Sequence, residues 1–148
     1  MNSPTTPLQQ RLARLVVKDE LSLGGLGADD LRLALAVVWA SLPADLSTHE
    51  PGINGHLKAA LAGAAAWLDT DHVELRRWLV DAGWLWRDGF GREYRRIEPA
   101  ALAPALREVA QALAAIDVEP WVAEQRAEHR SAREARRRQW LAAQGPAA

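Results

Sequence analysis

The chain has 148 residues, a hydrophobic fraction of 49% and a formal net charge of −1. That is enough apolar material for one core of ordinary size, and the near-neutral total excludes a chain-wide attraction to polyanions. With no cysteine, a disulfide framework and a thiolate metal site are both excluded, which fits a reducing compartment. The start "MNSPTTPLQQRLARL" lacks a basic leader with an apolar run, and no segment approaches the roughly 20 apolar residues of a membrane span. A soluble, cytoplasmic protein without membrane contact is expected.

Charge is unevenly distributed. Of 18 Lys and Arg, six lie between Arg76 and Arg96 and six more between Arg126 and Arg138, while the first fifty residues carry more acids than bases. Two local basic segments therefore survive the neutral sum.

In chain order, a first helix is expected after Pro7, with Leu8, Leu12, Leu15 and Val16 at helical spacing, and the glycines of "LSLGGLG" end it in a loop. Asp29 and Asp30 open a second helix that Pro43 terminates. Ser47 and Glu50 have capping-box spacing, so a third helix is expected to begin near Ser47 and to run through Ile53, Leu57 and Leu61 to Trp67. Start signals at Asp69 and Thr70 precede a fourth, in which Leu75, Trp78, Leu79 and Ala82 form one stripe and Gly83 supplies a left-handed stop.

After Gly83 the pattern becomes extended. "WLWR" and "REYRRI" flank "DGFG", a hairpin signal in which pairing Arg87 with Arg92 sets Leu85 opposite Tyr94. Pro99 is expected to begin a helix carrying Leu102, Leu106, Val109 and Leu113, and Pro120 another that is mostly charged and has too little apolar surface for a core. The expected fold is mainly α: a winged-helix-like domain with a two-stranded β-hairpin wing and extra C-terminal helices. Its segments are an N-terminal helix and glycine-rich loop (1–27), the winged-helix-like domain (28–97), a packing helix (98–116) and a charged helical tail (117–148).

"DHVELRRWLVDAGWLWRD" followed by "GREY" strongly resembles the bacterial family known as domain of unknown function 2087. The matching residues are Asp71, His72, Leu75, Arg76, Arg77, Leu79, Val80, Asp81, Gly83, Leu85, Arg87, Gly91 and Tyr94, and upstream Glu50, Ile53 and Asn54 fit the family's acidic, valine, asparagine motif. Gly52 departs from the pattern where a second acid is usual, and Trp86 and Phe90 stand at wing positions that are usually polar. The resemblance implies a transcription-associated role, since members occur alone or fused to DNA-binding regulator domains, and brings no established activity.

On a helical wheel Arg77 sits at ion-pair spacing from Glu74 and Asp81 and is expected to be structural; Arg76 has no acid at three or four residues and is the candidate for DNA contact. The presumed recognition helix has three acids against two arginines, so the wing must supply positive charge through Arg87, Arg92, Arg95 and Arg96. Arginines on a small hairpin are also ordinary solvated edge residues. Trp84 is expected in the core, with Trp86 on the face shared with Arg95 and Phe90 at the turn as contacts for a protein partner. His49, His56, His72 and His129 are scattered, so no metal is expected, and Asp69 and Asp71 read as helix caps. No nucleophile and base, phosphate loop or cofactor fingerprint is present, so neither a cofactor nor enzyme chemistry is expected. In the tail, Arg130–Glu134 and Glu134–Arg138 have i, i+4 spacing. The two expected functions are DNA-binding regulation, with duplex DNA as partner, and a non-enzymatic protein-interaction module.

Overall fold

The computed structural model describes residues 6–145; the parts of the expected N-terminal segment and tail at 1–5 and 146–148 lie outside them. The order is α1 (Pro7–Leu15), α2 (Ala28–Ser41), β1 (Ser47–His49), α3 (Glu50–Ala62), α4 (His72–Asp81), β2 (Leu85–Arg87), β3 (Glu93–Arg96), α5 (Pro104–Ala114) and α6 (Val118–Gln144). Single 3₁₀ turns at Leu23–Gly25 and Pro99–Ala101 precede α2 and α5.

Helix α2 organises the rest. Leu33, Ala34, Leu35, Ala36, Val37, Val38 and Trp39 are all buried, so it is apolar around its whole circumference and must be covered on every side. Helices α1, α3, α4, α5 and α6 all pack against it. The buried residues form one cluster running from Leu12 to Val122.

The helix ends follow local chemistry. Thr6 and Gln9 form a reciprocal capping box at α1, with Thr6 Oγ1 accepting from the Gln9 amide at 3.1 Å and the Thr6 amide donating to Gln9 Oε1 at 3.3 Å. Asp71, rather than Asp69, caps α4, its Oδ1 accepting from the Glu74 amide at 2.8 Å. Gly83, at φ 89°, closes α4 as expected, and the Trp84 amide then donates back to the Leu79 carbonyl at 2.9 Å.

Five local expectations are corrected. Ser47 does not start a helix: Ser47–His49 is a strand, and α3 begins at Glu50 with no side-chain cap from His49. The expected hairpin is present, but β1 joins it to make a three-stranded antiparallel sheet of order β1–β3–β2, with Thr48 opposite Tyr94. Pairing satisfies the outer edge of β3, which two strands would leave open. The hairpin register is also shifted by two residues: Leu85 pairs with Arg96 and Arg87 with Tyr94. Asp88 sets it, because its Oδ1 accepts the amides of Arg92 at 2.7 Å and Glu93 at 3.2 Å, making a longer turn than a tight loop. Finally, α5 begins at Pro104 and not Pro99, and the charged tail does enter the core. Val118 and Val122 are buried, and Trp121 packs beside them.

The order α2–β1–α3–α4–β2–β3 gives a mainly helical, winged-helix-like arrangement with α4 beside the sheet. Among the described residues no helix is long and apolar enough to cross a membrane.

Candidate nucleic-acid interface

The pleat sorts the arginines of the wing. Because successive side chains point to opposite faces, Leu85, Arg87, Tyr94 and Arg96 share one face of the sheet, and Trp86 and Arg95 the other. The four wing arginines expected to form a compact patch are therefore divided.

On the α4 side, Arg87 meets the helix. Val73, Arg76, Arg77, Val80, Asp81, Arg87 and Tyr94 line a cleft of about 120 Å³ between α4 and the wing. Arg76 is held at its back: Nη1 donates to Asn54 Oδ1 at 2.6 Å and to Glu50 Oε1 at 3.2 Å, and the guanidinium lies 5.3 Å from the Tyr94 ring centre. Its side chain is only 17% exposed. The sequence search for an acid three or four residues away could not find Glu50 or Asn54, which reach Arg76 from α3.

Arg77 differs from the expectation. It is exposed and makes no ion pair with Glu74 or Asp81 among the described residues; Glu74 instead accepts from Thr70 Oγ1 at 2.9 Å and from Trp78 Nε1 at 3.4 Å. Arg77 and Arg87 are thus the uncommitted cations of the cleft, and sequence spacing pointed away from the first of them.

Arg96 is occupied. Its Nε donates to the Trp39 carbonyl at 3.0 Å, its guanidinium lies 3.8 Å from the Trp39 ring centre, and burial pushes its pKa below the ordinary arginine value. On the opposite face Arg95 donates through Nε to Glu93 Oε1 at 3.0 Å and lies 4.3 Å from the Trp86 ring centre. That hydrogen bond, with a second from Ser47 Oγ, holds the Glu93 carboxyl below its usual range. Arg92 lies at the turn, 5.9 Å from the ring centre of Phe90, which is 84% exposed; Trp86 is 40% exposed. The aromatics departing from the family pattern are therefore on the surface.

The other departure has a steric reason. A Cβ on Gly52 would overlap Thr48 Oγ1 and lie 3.0 Å from Thr48 Cβ and 3.2 Å from Cγ2. With threonine in the middle of β1, the first turn of α3 has no room for a side chain there.

Beyond the domain, α6 is fixed by Arg126. Its Nη1 donates to the carbonyls of Val16 and Lys18, both at 2.9 Å, and its Nη2 to Asp19 Oδ1 at 2.6 Å. The cation thereby meets the negative end of α1. The expected Arg130–Glu134 and Glu134–Arg138 ion pairs are not formed among the described residues. No group of three or more His, Asp or Glu side chains suited to a metal ion occurs among those residues.

An α4 helix and an adjoining wing around a small basic cleft define a winged-helix-like domain. Residues 28–96 match the family described as "Uncharacterized protein conserved in bacteria (DUF2087)". No curated protein and no solved structure matches the chain. The two parts of the family pattern meet in space, since Glu50 and Asn54 of the upstream motif are the groups that hold Arg76.

Proposed function

We propose that the protein is a non-enzymatic, DNA-binding regulator or regulator-associated domain of the bacterial cytoplasm, which meets duplex DNA with α4 and the wing. The supporting observation is the cleft where exposed Arg77 and Arg87 converge beside Arg76. Guanidinium groups are suited to bidentate contact with phosphate. Arg92 at the wing tip is exposed and extends the same role, whereas Arg95 and Arg96 are committed to Glu93 and Trp39 and serve mainly to set the sheet.

Binding of the full chain to random and genomic-fragment duplexes across a salt series tests this. Each phosphate contact contributes about 0.9 to the logarithmic salt slope, so Arg77→Ala with Arg87→Ala should flatten it by about 2. A folded protein that binds no duplex at low salt would eliminate the reading.

A second reading rests on the opposite sheet face and the wing tip. Phe90 and Trp86 are exposed aromatics backed by Arg92 and Arg95, a composition suited to a protein partner. It predicts that Trp86→Ala and Phe90→Ala abolish partner capture without changing the salt slope on DNA.

A further inference from the structure

Helix α6 docks with one face and overhangs with the same face. Val118, Val122, Arg126, His129, Arg133, Arg137 and Trp140 recur at three- and four-residue spacing, so they form one stripe. At its start the stripe is apolar and buried; Arg126 marks the change, and from Arg130 the helix is almost entirely exposed. Beside the overhang, the end of α1 forms the other wall of an open notch of about 800 Å³, with Ala13 and Val17 among its lining residues.

The notch and the groove beside it are lined by more cations than anions. Arg14 of α1, Lys18 just beyond it and Arg133 of α6 line the notch, and Arg126, Arg130, Arg133 and Arg137 line the adjoining groove. Arg126 and Asp19 neutralise each other, which leaves Arg14, Lys18, Arg130, Arg133 and Arg137 against Glu128 and Glu134. Arg133 and His129 add to the positive field that, after Arg126 itself, keeps the Asp19 carboxyl below its ordinary range.

We infer that this notch is a second binding surface for the phosphate backbone of nucleic acid. The inference rests on the nucleic-acid reading above but uses none of the α4 or wing residues. Three features select this ligand. Arg130, Arg133 and Arg137 are spaced about 4.5–6 Å apart along the helix axis at about 1.5 Å per residue, a ladder suited to a ligand with closely repeated charge. Protein interfaces are depleted of charge at their centre, whereas here Arg14, Lys18, Arg130, Arg133 and Arg137 are among the lining residues. An interfacial membrane helix needs a broad apolar face, and the overhang offers Trp140 and Leu141 alone as large exposed apolar residues.

The test uses the full chain with Arg130, Arg133 and Arg137 all changed to Ala, compared with the same three changed to Lys and with Arg77→Ala/Arg87→Ala. The probes are a short random-sequence duplex over a salt series, poly-glutamate, and vesicles containing phosphatidylserine. All three Arg→Ala residues are exposed, so the melting temperature should hold, and the slope should fall by about 2 to 3. The Lys version should keep most of the slope, because charge is retained. If the α6 triple loses binding and the cleft pair does not, the notch stands and the α4 assignment fails. If only the cleft pair weakens binding, the notch is overturned while the domain's role survives. Binding to poly-glutamate or vesicles, but not to duplex, would overturn the inference.

Discussion

Replacing Gly52 with Ala sets two known effects against each other. In a helix interior, Gly→Ala is worth up to about 1 kcal/mol in favour of folding, and at the first turn of α3 the gain is smaller still. Against it stands the overlap with Thr48 Oγ1 and the approaches of 3.0 and 3.2 Å to Cβ and Cγ2. Rotating Thr48 does not relieve the Cβ contact, and overpacking of this kind costs about 1–3 kcal/mol. The steric term wins, so Gly52→Ala should destabilise by about 1–2 kcal/mol, or about 2–4 °C of melting temperature per kcal/mol at this chain length. In a Thr48→Ala background the Oγ1 overlap and the Cγ2 contact vanish while the Cβ contact stays, so the same change should cost markedly less. Denaturant and thermal melts of the four proteins give the coupling energy. A coupling below about 0.5 kcal/mol, or a Gly52→Ala protein more stable than the parent, would refute the steric account of this departure from the family pattern.

The two deeply buried tryptophans should respond differently to phenylalanine. Trp67 Nε1 donates to the Ala64 carbonyl at 2.7 Å, whereas Trp84 Nε1 is buried without a partner among the described residues; an unmade buried bond costs about 1–3 kcal/mol. Trp84→Phe should therefore cost less than Trp67→Phe by roughly that amount in chemical denaturation, and an equal cost would contradict it. Ending the chain after Ile116 removes buried Val118 and Val122 and the Arg126 hydrogen bonds, for a loss on the order of 5 kcal/mol. Ending it after Arg130 should leave the melting temperature nearly unchanged. Asp88 is held below the ordinary carboxylate range chiefly by the Arg92 amide. Its contribution is fully present above the unfolded carboxyl's pKa and is lost as the pH falls through the lower folded value. Asp88→Ala should lower the melting temperature at neutral pH and weaken its fall in acid, while Asp88→Asn keeps the acceptor and most of the neutral-pH stability.

What the sequence disclosed depended on how far each deciding contact reached. Proline at the start of α1, the acids of α2, Gly83 after α4 and the buried stripe of Leu75 and Leu79 act within a few residues, and each emerged as expected. Ser47 was ambiguous because its spacing from Glu50 fits a cap; the free edge of β3, more than forty residues away, decided for a strand. The hairpin register turned on a carboxylate satisfying two amides, which alternation of apolar residues does not reveal.

The arginines show the same division with more consequence for function. Counting charges marked the segment 76–96 as basic, but a count treats every arginine as available. In the folded chain Arg76, Arg95, Arg96 and Arg126 each have a named acceptor, three of them supplied from elements distant in sequence. Arg77, assigned a structural role by its spacing from Glu74 and Asp81, is left exposed: Thr70 and Trp78 engage Glu74, and among the described residues Asp81 forms no ion pair with it. The upstream Glu50 and Asn54 motif was the one sequence signal of Arg76's fate, since a motif in two separated parts implies that the parts meet. Availability, and with it any affinity for phosphate, is thus a property of the tertiary structure: the cations free to bind an anion are those that no acceptor within the fold has engaged.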